Sequence, residues 1–190
     1  MKTMLPIAMS DIHAHLTAAD VEALFGKGHA LTKWRDLTIP GAYACRETVE
    51  VVGPKGSIAG AVVVGPTRVY TQIEISLTNA AALGMVPPIR ESGDLEGAPG
   101  ATIVGTSGRV VLAQGVIAAV RHIHMNPREA SEYGVTDGQR VKIRVPGERA
   151  LVLENVIVRV DPAWILEMHV DVDEGRAAAL VDFQLVELIQ

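Results

Sequence analysis

Five of the six histidines in this 190-residue chain stand in short extended patterns that suit metal chemistry. His122 and His124 flank Ile123, His13 and His15 flank Ala14, and His169 alternates with Met168 and Val170. Residues i and i+2 of a strand point to one face with Cα atoms roughly 6.5–7 Å apart, so two imidazoles can reach one ion. Ile123 and Met125 take the alternate positions and can face a core, so 121–126 reads as a half-buried strand.

A lone His-x-His is weak evidence of a site; here the chain repeats it. His13-Ala14-His15-Leu16-Thr17 leads through a short helix to Phe25-Gly26. Gln72-Ile73-Glu74-Ile75-Ser76 leads to Leu83-Gly84, and His122-Ile123-His124-Met125-Asn126 leads to Tyr133-Gly134. Two copies are preceded by matching hairpins at 52–56 and 104–108. The same strand position carries His15, Glu74 and His124. A duplicated core would keep apolar residues there, whereas repeated metal-type side chains point to a shared site.

The ligand inventory is therefore His13, His15, Glu74, His122, His124 and His169. Imidazole and carboxylate suit one or two borderline ions, zinc first. Two histidines and a carboxylate leave a fourth position open, and three histidines do the same at a second ion. Open positions are the mark of catalytic zinc. Arg68 and Arg121 stand at the ends of ligand strands, where a guanidinium can hold an anion.

The elements that position these residues are short strands. The chain is 48% hydrophobic but only 4% aromatic, and its richness in Val, Ile and Gly favours sheets over a helical bundle. Thr17 is the expected N-cap of a helix over 18–25, closed by Gly26. Thr78 is expected to cap a helix ending at Gly84. Pro127 opens one over 127–133, and 175–180 reads as the last. Strands are expected at 58–64, 68–77, 102–104, 110–120, 141–145, 151–160 and 165–172, with a loop over 87–100. The pattern predicts an all-β-dominated fold of two small β-barrels with short capping helices. One barrel takes 2–11 and 120–190, the other 12–26 and 46–119, with 27–45 as a connector.

A formal charge of −5 argues against a nucleic-acid partner. The single cysteine, Cys45, forbids an internal disulfide, fits a reducing compartment, and reads as a buried small hydrophobe. The N-terminal stretch is too short for a secretory signal and the apolar run 110–120 too short to span a bilayer, so a cytoplasmic protein with no membrane partner is expected. Gly53-Pro54-Lys55-Gly56 reads as a hairpin turn, not a phosphate loop. Asp171, Asp173 and Glu174 read as a solvated acidic edge, and His29 as a loop histidine.

Several segments together resemble a known family, the PduL-type phosphotransacylases associated with bacterial microcompartments. They are 10–16, 65–68, 71–76, 92–95, 121–125 and 168–171, in order along nearly the whole chain. The resemblance implies two β-barrels with a two-zinc site between them. One Zn2+ would be held by His13, His15 and Glu74, the other by His122, His124 and His169, with Arg68 on phosphate. It implies exchange of acyl-CoA and inorganic phosphate for acyl phosphate and CoA, with acetyl or propanoyl groups and no nucleophilic side chain.

Ser10, Asp11, Ile12, Arg35 and Arg176 are then the expected CoA contacts. The chain departs from the family pattern at three places: Ile12 and Val62 where arginines are usual, and Arg176 where an asparagine is. Apolar strand edges make a homo-oligomer the expected state. Other microcompartment enzymes are the implied partners and the shell lumen an implied location, although no N-terminal encapsulation extension is visible.

Two other classes compete. A cupin-like single-metal barrel would use His122, His124 and Glu129, and a non-catalytic metal-binding module would use the histidines structurally. About one ion per chain separates the first from a dimetal enzyme, and phosphate-dependent CoA release excludes the second.

Overall fold

The computed structural model describes residues 2–189; Met1 and residue 190, the end of the first expected barrel, lie outside the described residues. In chain order the first strands are β1 (Met4–Ser10), β2 (His13–His15), β3 (Lys33–Asp36), β4 (Tyr43–Gly53), β5 (Gly56–Gly65) and β6 (Gln72–Glu74). They are followed by β7 (Ile89–Arg90), β8 (Thr102–Val104), β9 (Arg109–Val111), β10 (Val116–Ala119) and β11 (His122–Met125). The last are β12 (Arg140–Val145), β13 (Leu151–Val160), β14 (Glu167–Asp171) and β15 (Leu185–Ile189). Between them lie α1 (Ala18–Phe25), α2 (Leu77–Leu83), α3 (Pro127–Tyr133) and α4 (Val172–Ala177).

Each helix is entered from a strand through a polar cap. Thr17 Oγ1 accepts from Asp20 N at 3.1 Å, Ser76 Oγ from Asn79 N at 3.3 Å, Asn126 Oδ1 from Glu129 N at 3.0 Å and Asp171 Oδ1 from Glu174 N at 2.9 Å. These bonds satisfy helix donors that have no partner within the helix. The strand–cap–helix unit thus occurs four times, once more than the repeat seen in the sequence; the fourth copy is Glu167-Met168-His169-Val170-Asp171.

Several boundaries differ from expectation for local reasons. Ser76, not Thr78, caps α2, because the chain turns into the helix directly after β6. The last helix is α4, started by the Asp171–Glu174 capping box, so those acids are cap groups and not merely a solvated edge. The expected strand over 110–120 breaks into β9 and β10, with Gly115 at φ 142° between them. The loop over 87–100 contains the short β7, and the connector supplies β3, which pairs with β4.

The chain falls into two compact units, one comprising residues 2–10, 38–40 and 120–189 and the other 11–37 and 41–119. The first is a closed barrel in the order β1-β14-β11-β13-β12-β15. Leu5, Ile7, Ile123, Ile143 and Met168 fill it and are fully buried. The second is a curled half-barrel, an open sheet ordered β7-β10-β6-β2-β5-β4-β8-β9 with β3 on β4. Its core includes Ala14, Leu16, Val63, Ile73 and Ile103. The fold is thus sheet-dominated with short helices, one barrel closed and the other sheet open.

A five-strand arrangement is common to both units. In one, β1 runs parallel to β14, β14 antiparallel to β11, β11 parallel to β13, and β13 antiparallel to β12. In the other, β10, β6, β2, β5 and β4 follow one another with the same four senses.

The two matching hairpins do the same thing within the open sheet, each tying down the end of a helix. Lys55 N donates to Leu83 O at the end of α2 (3.0 Å), and Ser107 N donates to Leu24 O near the end of α1 (2.8 Å). Glycine permits the approach: a Cβ on Gly53 would lie 2.5 Å from Leu83 O, and one on Gly105 2.4 Å from Leu24 O. Gly105→Ala is expected to destabilise the protein by about 1–3 kcal/mol, the usual cost of forcing atoms into a filled site. Gly56→Ala, whose nearest contact would be an ordinary 3.6 Å, is expected to cost less. Urea unfolding of the two variants checks the difference.

Candidate metal centres

Antiparallel pairing of β2 with β6 sets His13 opposite Glu74 and His15 opposite Gln72. Ala14 and Ile73 alternate with them and are fully buried in the core, so all four polar residues take the opposite face. The candidate ligand atoms of His13, His15 and Glu74 all lie within 4.8 Å of one another, the set among the described residues that meets this test. His13 Nε2 is 3.5 Å from Glu74 Oε2 and His15 Nε2 3.7 Å from Glu74 Oε1. Two ligands of a tetrahedral zinc stand about 3.3 Å apart for bonds of about 2.05 Å. A modest contraction therefore suffices to close the three residues on one ion.

The rings are already oriented for it. His13 Nδ1 is 2.8 Å from Asp11 O and His15 Nδ1 3.3 Å from Val64 O. A ring N–H held on a carbonyl leaves Nε2 as the donor atom for a metal. Burial pushes the His15 imidazole below the usual histidine range, toward its neutral form. Burial works to raise the Glu74 pKa, but the charge of His13 and the contact with His15 outweigh it and hold the carboxyl well below the usual range. Neutral imidazole and anionic carboxylate are the forms that ligate.

A second layer holds Glu74. The fully buried Gln72 donates from Nε2 to Glu74 Oε1 at 2.7 Å and to Ser92 Oγ at 2.9 Å, and its Oε1 accepts from Gly93 N at 2.7 Å. Arg68 Nη1 donates to the same Ser92 Oγ at 3.1 Å. Arg68 is thus linked to the Glu74 carboxylate through the Ser92 hydroxyl and the Gln72 amide.

The closed barrel carries the corresponding arrangement. Pairing of β11 with β14 sets His122 opposite His169 and His124 opposite Glu167. The ring centroids of His122, His124 and His169 are 4.6, 4.9 and 5.2 Å apart. His122 Nδ1 is 2.8 Å from Val120 O, two residues back, as His13 Nδ1 is from Asp11 O. Trp164 lies against His124 with ring centroids 4.3 Å apart and planes tilted by 38°, and the Arg159 guanidinium lies 5.0 Å from the Trp164 ring centroid. Glu167 accepts from Thr38 Oγ1 and is only 3% exposed.

The remaining expected residues are dispersed. Ser10 ends β1 half-buried, and Asp11 is exposed, its carboxylate accepting from Ile12 N at 2.7 Å. Ile12 packs into the core of the open sheet. Arg35 lies exposed on β3 with its guanidinium 5.5 Å from the Trp34 ring centroid, and Arg176 is exposed in the last turn of α4. Arg121 is paired with Glu174 at 3.1 Å. His29 is not idle. Its Nε2 is 2.9 Å from Glu47 Oε1, and the Glu47 carboxylate also accepts from Thr32 N at 3.0 Å, which pins the 26–32 loop. Glu129 serves the Asn126 capping box, which removes it from a cupin-type ligand set.

Sequence reasoning missed Gln72, Ser92, Glu167 and Trp164. The repeat itself holds the signal for two of them: counting back from each cap, Gln72 and Glu167 occupy the place of His13 and His122. Ser92 lies inside one of the segments that carried the family resemblance. Nothing in the sequence placed Trp164 on His124.

A profile of the family described as phosphate propanoyltransferase matches residues 6–181. A phosphate propanoyltransferase of Thermotoga maritima is 49% identical over 97% of this chain and 88% of its own length. One from Priestia megaterium is 50% identical over 93% of the chain and 81% of its own, and one from Clostridioides difficile 42% over 100% and 90%. No helix among the described residues is long and apolar enough to cross a membrane.

The Gln72 network generates a direct prediction. Gln72→Leu strips a hydrogen bond from Glu74 Oε1 and leaves Gly93 N without its acceptor, so metal affinity at this candidate centre is expected to fall about 10- to 100-fold, the usual weight of an outer-shell partner. Competition with a chromophoric chelator measures it.

Proposed function

This chain belongs to the phosphate propanoyltransferase family, and from that membership we propose that it is a phosphate acyltransferase using acyl-CoA and inorganic phosphate. Acetyl-CoA and propanoyl-CoA are the proposed donors. The observation that carries the metal part of this reading is the approach of His13, His15 and Glu74 to tetrahedral ligand spacing. These three would hold one zinc ion, and His122, His124 and His169 a second. Bound there, zinc supplies positive charge for a phosphate oxyanion and for a departing thiolate.

The proposed reaction is direct phosphorolysis. A phosphate oxygen attacks the thioester carbonyl carbon, the new C–O bond forms, the C–S bond breaks, and CoA leaves as its thiolate. Arg68 is proposed to hold the phosphate by charge-assisted hydrogen bonds that fix the attacking oxygen. Its tie to Ser92, and through it to Gln72 and Glu74, favours that role by fixing the guanidinium beside the first centre. The absence of a covalent acyl-enzyme is favoured by Cys45. That thiol is 2% exposed in the core, and burial, reinforced by the Glu47 charge, pushes its pKa up to about 11. It offers neither access nor thiolate.

The same reading includes CoA contacts at Ser10, Asp11, Ile12, Arg35 and Arg176, a homo-oligomeric state, and a partner enzyme that generates acyl-CoA. The resemblance supports a microcompartment setting for that partnership.

The test is phosphate-dependent release of CoA thiol from acetyl-CoA and propanoyl-CoA by zinc-loaded protein. Glu74→Ala and His124→Ala are each expected to fall to background, because each removes a ligand from a different ion. Arg68→Ala is expected to lose about 10- to 100-fold in kcat/KM for phosphate, the worth of a charge-assisted hydrogen bond. An acyl group trapped on the protein by mass spectrometry, or a fully active Glu74→Ala variant, contradicts the proposal.

A further inference from the structure

Two donors converge on Ser92 Oγ. Arg68 Nη1 donates to it at 3.1 Å and Gln72 Nε2 at 2.9 Å, and the same Gln72 nitrogen donates to Glu74 Oε1 at 2.7 Å. A serine hydroxyl has two acceptor lone pairs and one proton. Both lone pairs are used here, so the proton is left to donate. The Glu74 carboxylate takes it: a hydrogen bond from Ser92 is among the causes that hold the Glu74 pKa low.

The backbone around Ser92 fixes the hydroxyl in place. Residues 91–94 form a turn, with Asp94 N donating to Glu91 O at 3.0 Å, and Gly93 N donates to Gln72 Oε1 at 2.7 Å. Gly93 has φ 99°, and a Cβ there would lie 2.9 Å from the Tyr70 hydroxyl. A loop residue is thus seated on the side chains of β6.

The donors run in one direction: Arg68 to Ser92, Ser92 to Glu74, with the Gln72 amide serving both acceptors. Hydrogen bonds arranged head to tail polarise one another. The anionic carboxylate at one end therefore strengthens the hold of Ser92 Oγ on the Arg68 guanidinium at the other. A cation bound by Glu74 draws on the same carboxylate lone pairs. It weakens that hold and releases guanidinium donors toward an incoming anion. The Arg68 charge also works against protonation of His15, so it is felt at the metal-type side chains themselves.

We propose that Ser92 is a positioning residue that couples two ligands. A divalent ion on His13, His15 and Glu74 raises the affinity of Arg68 for phosphate, and phosphate raises the affinity for the ion. The proposal rests on the reading that these residues hold a metal and an anion. Ser92 touches neither ligand and acts through Arg68 and Glu74. The two effects are equal in size, because coupling between binding sites is reciprocal.

The test is binding without turnover. Zn2+ is titrated into the metal-free full-length chain against a chromophoric chelator, with and without inorganic phosphate, and a protein-free blank corrects for zinc taken by phosphate itself. The equivalent followed is the one that Glu74→Ala removes. Phosphate is expected to raise its affinity at least about 10-fold, within the usual range of coupling between sites. In Ser92→Ala the enhancement is expected to fall to about 2-fold or less, while Ser92→Thr, which keeps the hydroxyl, retains it. A merely structural loss would lower zinc affinity with and without phosphate alike and leave the ratio unchanged. If Ser92→Ala does not fold, Ser92→Cys, whose thiol is a weak donor and acceptor, reads the same ratio.

Absence of a zinc equivalent that depends on Glu74 overturns the metal reading and this proposal with it. A Glu74-dependent equivalent whose affinity phosphate leaves unchanged overturns the coupling alone. Full enhancement in Ser92→Ala, or in Ser92→Cys where Ser92→Ala does not fold, overturns the role of Ser92 and leaves the metal reading standing, and so does loss of the enhancement in a folded Ser92→Thr.

Discussion

The register of two antiparallel strand pairs is the constraint on which everything else depends. β2 must meet β6 with His13 opposite Glu74, and β11 must meet β14 with His122 opposite His169. A slip of one residue would turn every candidate ligand onto the core side and every core residue outward. The core prevents it. Ala14 and Ile73 in one unit, and Ile123 and Met168 in the other, are fully buried. Exposing a side chain such as Ile123 or Met168 costs about 1.5–3 kcal/mol. Apolar packing on one face therefore sets the spacing of the candidate ligands on the other.

That opposite face is itself largely dry, which raises the cost of every polar group on it. His15 and His124 are 4% exposed and Gln72 is fully buried. The chain offsets the cost with fixed partners: main-chain carbonyls behind His13, His15 and His122, Ser92 and Gly93 around Gln72, and Thr38 on Glu167. These partners orient the rings and carboxylates in advance, so that binding an ion need not order them. Burial and neighbouring charge also favour the neutral form of His15 and the anionic form of Glu74, which lowers the proton competition that a metal must overcome.

Much of this was legible in the sequence because it is local. Period-two alternation around Ile123 and Ala14 marked the strands β11 and β2, and Thr17 and Pro127 marked helix starts that α1 and α3 reproduce. What was not legible depends on pairing between distant segments. Ser76 outcompetes Thr78 as a cap because β6 ends just before it. The fourth repeat was hidden because its two polar residues are Glu167 and His169 in place of His-x-His. Its identity emerges only when β14 pairs with β11 as β6 does with β2. His29 read as an idle loop residue because Glu47, its partner, lies 18 residues away. The open second sheet was equally invisible, since closure depends on which edges meet and not on the alternation within any strand.

One repeated strand pairing places a candidate metal centre on the closed barrel and another on the open sheet, and the proposed chemistry needs both. The most direct measurement is zinc titration of metal-free protein with phosphate-dependent CoA release followed at each addition. Activity is expected to be absent without metal and to reach its plateau at two equivalents of zinc per chain. A plateau at one equivalent, or full activity with none, would contradict a two-ion mechanism.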